Sequence, residues 1–89
     1  MLLQNEDSQK DKAQAGLEKL PVKIGEVYVH YKAHGTYEVV NIALKEDTLE
    51  PLIIYRALGH GGTVWARTYS DWNADVEVDG KMVKRFKQL

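Results

Sequence analysis

The sequence predicts a mostly β fold, a small SH3-like barrel of five to six short antiparallel strands, preceded by a polar segment that is a short helix or disordered. Three observations predict it. From Val22 onward apolar residues alternate with a period of two, apolar runs recur at short intervals, and turn formers separate the runs. With 89 residues the chain holds one such domain and not two, and its single small core has to supply most of the stability.

The N-terminal extension, residues 1–21, is rich in Gln, Asn, Glu, Asp, Ser and Lys, and nearly all aromatic and β-branched residues follow it. Ser8 is placed to cap a helix with Asp11 in its first turn, and Ala13, Leu17 and Leu20 then fall on one stripe. Gly16 weakens such a helix by about 1 kcal/mol relative to Ala, and Pro21 stops it. The β domain spans residues 22–89.

Within it the alternation marks six strands: Glu26 to Lys32, Tyr37 to Leu44, Leu52 to Leu58, Val64 to Thr68, Asp75 to Val78 and Lys81 to Phe86. The second is apolar on both sides and belongs in the centre of a sheet or at a bend, whereas Val76 and Val78 alternate with acids and belong near an edge. Ala33, His34 and Gly35 make the first turn, an acidic loop leads into Pro51, and Gly59-His60-Gly61-Gly62 reads as a plain hairpin loop. That loop joins two strands and lacks the helix and lysine of a phosphate cradle. Tyr69 to Asn73 fits a single 3₁₀ turn, and Asp79-Gly80 a type I′ turn that pairs Val78 with Lys81. A helical turn ahead of the last strands is what points to the SH3-like barrel.

Composition excludes several classes of function. Twelve Lys and Arg oppose thirteen Asp and Glu, so no overall field attracts polyanions, which argues against strong nucleic-acid binding. Lys81, Lys84, Arg85 and Lys87 make the last strand basic, which reads as a solvated edge guarded against strand addition. Without cysteine there is no disulfide, thiolate site or thiol nucleophile. The start, MLLQNEDSQKDK, has neither a signal-peptide core nor a membrane span, so a cytoplasmic protein with no membrane partner is expected.

Several segments together carry a family likeness: His30-Tyr31-Lys32, Tyr37-Glu38-Val39, Thr48 through Leu58, Trp65-Ala66-Arg67, Val76 through Lys81, and Arg85-Phe86. From Ile24 to Phe86 the chain resembles the small bacterial family called domain of unknown function 1653. The resemblance implies a stand-alone, mostly β bacterial domain and brings no activity, substrate or catalytic residue with it. The chain departs from the family pattern at Thr68 and Lys84, where proline is usual, at Lys45-Glu46-Asp47, which lacks a histidine, and at Ala33-His34, which lengthens the first turn.

The candidate site follows from alternation. Val27 and Val29 share one face of the first strand, Tyr28 and His30 the other; Val64 and Ala66 likewise oppose Trp65 and Arg67. With the small apolar residues inward, Tyr28, His30, Trp65 and Arg67 join Tyr55 in an outward patch of aromatic area beside a guanidinium fork. Its competitor is simple core packing of the same rings. The sequence therefore predicts a non-catalytic binding module for a peptide, nucleobase or small anionic ligand, with no cofactor. The alternative is a self-associating structural subunit, and third is a small enzyme using His30 or His60 with Glu38. No complete catalytic set supports the enzyme: Ser70-Asp71 has no elbow, oxyanion hole or oriented base. His30, His34 and His60 read as turn histidines rather than metal ligands, since the i, i+4 spacing of the first two straddles a strand end. Arg56 and Glu38, on neighbouring apolar strands, are expected to pair, or Arg56 to reach Glu50.

Overall fold

The computed structural model describes residues 2–32 and 34–89; for residues 2–8 and His60 it describes the backbone alone. Ala33 in the first turn and the side chains of Ser8 and His60 thus lie outside the described residues.

The polar extension forms α1 (Leu2–Glu18), which starts ahead of Ser8, so Ser8 lies within the helix and is not its N-cap as expected. Its apolar stripe is nonetheless the expected one: Leu17 is buried and Leu20 packs against the core, while the rest of its described surface is largely exposed. Pro21 follows the turn that ends the helix, and Val22 then enters the core.

Strands β1 (Val27–His30), β2 (Thr36–Leu44), β3 (Pro51–Ala57) and β4 (Val64–Thr68) form an antiparallel meander. The strand apolar on both sides, β2, is central, as expected, and bulges between Val39 and Asn41. Glu38 lies opposite Arg56 in the register, and Glu38 Oε1 accepts a hydrogen bond from Arg56 Nη2 at 2.6 Å. Both side chains reach solvent, so the expected pair is a surface bridge. The glycine loop makes a short 3₁₀ turn, His60–Gly62, closed by the Ala57 N–H donating to the Thr63 carbonyl.

After β4 the chain makes one α-helical turn, α2 (Tyr69–Trp72), in place of the expected 3₁₀ turn. Thr68 caps it: its Oγ1 accepts the Asp71 N–H at 3.2 Å. A hairpin of β5 (Asp75–Val78) and β6 (Lys81–Lys84) follows. Its turn is the expected one, with φ of 51° at Asp79 and 80° at Gly80, and Val78 opposite Lys81.

The expected sixth strand divides in two. At Arg85 the chain leaves the hairpin: its N–H donates to Ala74 and its carbonyl accepts from Tyr31 N–H, so Arg85 joins two sheets. β7 (Phe86–Gln88) then pairs with β1 and sends Phe86 into the core. The sheet order is β4-β3-β2-β1-β7, with β5-β6 apart. The described residues therefore give a mostly β fold of seven antiparallel strands in two sheets, and no closed barrel is found. Pairing closes no ring because β4 and β7 remain the two edges of the larger sheet. Among the described residues no helix is long and apolar enough to cross a membrane.

Candidate functional site

Directly opposed residues in antiparallel strands project to the same face, so the register alone identifies one side of the larger sheet. His30 opposes Phe86, Tyr28 opposes Tyr37, Val39 opposes Tyr55, Tyr55 opposes Trp65 and Ile53 opposes Arg67. These residues share the face that Trp72 of α2 covers. Trp72 stacks on Phe86 with ring centroids 3.8 Å apart and planes 8° from parallel, and it meets Tyr28 and Tyr55 edge-on at 5.1 and 4.9 Å.

Trp72 covers only part of this face. Beyond it lies an open cleft of about 240 Å³, lined by His30, Tyr37, Tyr55, Trp65, Arg67 and Phe86. Four of the five sequence-predicted site residues thus converge here; Tyr28 does not. The alternation predicts which residues share a face, and the structure reverses which of the two faces is covered. Tyr28 and Tyr55, expected outside, are buried at 7% and 5% exposure, whereas Val64, expected inside, is 55% exposed. The physical reason is area: aromatic rings remove more apolar surface from water than valine or alanine, so Trp72 and Phe86 settle on the ring-bearing face. Toward the β4 edge that face opens, leaving Trp65 53% exposed and Arg67 partly so.

Arg67 is held from two sides. Its Nε donates to Tyr55 Oη at 3.0 Å and its Nη1 to Asp71 Oδ2 at 2.5 Å, and the guanidinium carbon sits 5.7 Å from the Phe86 ring centre. Asp71 is shared, since Arg85 Nη2 lies 3.6 Å from Oδ1 and Arg85 Nε donates to the Asp71 carbonyl at 3.0 Å. Two guanidiniums around one carboxylate leave the rim positive. His30 packs against Phe86 at 5.0 Å, and its Nδ1 accepts the Lys32 N–H at 3.2 Å. Burial lowers its pKa, with Arg67, Arg85 and Lys32 adding repulsion, so the ring favours the neutral form. Burial likewise raises the pKa of Tyr55, though its bond with Arg67 opposes the rise. Tyr28, across the core, has its phenol pushed up to about 12 by burial and by donation to Glu26 Oε1 at 3.0 Å.

Sequence reasoning passed over Tyr37, Phe86, Asp71 and Arg85. Tyr37 was legible, because it shares a phase with Val39 on a central strand. Asp71 was not, because its i, i+4 spacing from Arg67 spans a strand end and a helical turn. Among the described residues no three His, Asp or Glu side chains gather as a metal site, and Ser70 Oγ lies 3.3 Å from Thr68 Oγ1.

The family model for proteins of unknown function (DUF1653) matches residues 26–88. The chain belongs to the DUF1653 family. The match takes in every residue of the cleft and leaves α1 outside. A crystal structure of a DUF1653 protein from Bordetella bronchiseptica is similar, with 28% sequence identity and a TM-score of 0.62 over 74% of this chain and 85% of that one. No curated protein matches the sequence.

Proposed function

We propose that this DUF1653 chain is a non-catalytic binding module whose ligand, a peptide, nucleobase or small anionic molecule, enters the cleft beside Trp65 and Arg67. The observation that carries it is the convergence on one open cleft of aromatic rings and a guanidinium fixed by Tyr55 and Asp71. Rigid rings supply contact area at little entropic cost, and an oriented fork supplies direction. The helical turn after β4 and the return of β7 to β1 support an SH3-like arrangement of the strands, and the binding role does not require closure into a barrel. A thermal-shift screen of nucleotides, peptides and small carboxylates tests the role, because a ligand selective for the folded state raises Tm by mass action. Hits should weaken in Trp65→Ala; hits untouched by that change would place binding elsewhere.

A second role, self-association, is favoured by one observation. The hairpin and chain end expose Val78, Val83 and Leu89 beside a hollow of about 670 Å³ that Val29 also lines. Light scattering across a hundredfold concentration range decides it: a constant monomer mass removes self-association.

A further inference from the structure

Building on that binding role, we propose that the cleft selects an aromatic ring bearing one negative charge, an arene or indole carboxylate. Size is the first argument. At about 240 Å³ the open cleft lies near the roughly 300 Å³ lower end of small-molecule sites, which matches one ring system held among its walls. Its walls suit a ring: Tyr37 meets Tyr55 edge-on at 5.6 Å and Phe86 at 6.0 Å, and half-exposed Trp65 offers indole surface at the mouth.

Charge is the second argument. A cluster of aromatic rings is ordinarily a place for a quaternary ammonium group. Here the protein's own Arg67 lies over the Phe86 ring, so a cationic ligand would meet a cation of the same sign. Arg67 and Arg85 share the single carboxylate of Asp71, which leaves one unit of positive charge to be matched. The geometry also leaves a donor for it. Nε and Nη1 of Arg67 are committed to Tyr55 and Asp71, while Nη2 has no hydrogen bond to another described residue. A ligand carboxylate beside Nη2 receives a charge-assisted hydrogen bond while its ring lies among the aromatic walls. A polyanion is disfavoured, because residues 22–89 carry nine basic and nine acidic side chains and lack a field to hold a long charged strand.

Calorimetric titration of the full chain with indole-3-acetate, indole-3-acetamide, acetate and phenyltrimethylammonium separates these terms. Indole-3-acetate should bind about tenfold or more tightly than the neutral amide, the step expected for one charge-assisted hydrogen bond, and acetate alone should give no heat of binding. Arg67→Gln should bring acid and amide level. Trp65→Ala should weaken both, and its exposed site keeps that variant informative if Arg67→Gln unfolds. Equal affinity for acid and amide, or tighter binding of the ammonium, would overturn the anion selectivity and leave the binding role standing. If no aromatic probe binds at millimolar concentration, the inference falls, while the binding role stands or falls with the thermal-shift screen of nucleotides, peptides and carboxylates.

Discussion

Phe86 touches more of the aromatic cluster than any outward alternation would suggest, since it stacks on Trp72, meets Tyr37 and Tyr55 edge-on and carries Arg67 over its face. Truncating it leaves a cavity that so small a core fills poorly. Phe86→Ala should therefore cost about 3–5 kcal/mol in urea denaturation, and Phe86→Leu about 1–1.5 kcal/mol. His30 gives a test of sign. Its folded pKa lies below the ordinary 6.5, because burial and neighbouring cations disfavour the imidazolium. The unfolded chain then binds the proton more readily, so this contribution to stability is intact above pH 6.5 and falls as the pH drops beneath it. Denaturation midpoints at pH 8 and pH 5 should differ more in the parent than in His30→Gln; an equal difference contradicts the desolvated imidazole. Alternation revealed which residues share a face. It could not tell which face is covered, because that depends on Trp72 and Phe86, which arrive from segments remote in sequence.

Among the elements, α2 determines how Arg67 is held, because one turn of helix brings Asp71 under the guanidinium. Its cap, Thr68, sits on the last residue of β4, so the strand end and the helix start share one side chain. Thr68→Ala should cost about 1 kcal/mol and Thr68→Ser far less. If the cap matters only to stability, the ligand affinity of Thr68→Ala will match the parent; if it orients Asp71, affinity will fall as well. The β5–β6 hairpin was the most legible element, since Asp79-Gly80 specifies both turn and register. Gly80 has φ of 80°, which a β-branched residue adopts only under strain, so Gly80→Val should destabilise the hairpin and broaden its amide signals in NMR spectra. The break at Arg85 was hidden, because Lys81 to Phe86 alternates without punctuation and only the hydrogen bonds to Ala74 and Tyr31 divide it.

For the whole molecule, sheet order explains why the site is open. β1 and β7 bring His30 and Phe86 to one side and β4 brings Trp65 and Arg67 to the other, while α2 is too short to span the face between them. The mostly β fold and the shared phase of the site were readable from periodicity. Closure into a barrel was not, because closure depends on whether edge strands meet, and no local pattern reports that. The measurement that most directly tests the cleft as the functional surface is a chemical-shift map of the ¹⁵N-labelled chain titrated with indole-3-acetate. The Trp65 indole and Arg67 Nε signals should move together and saturably, with Tyr37 and Phe86 amides following. Shifts confined to the hairpin around Val78 and Val83, or none anywhere, would contradict it.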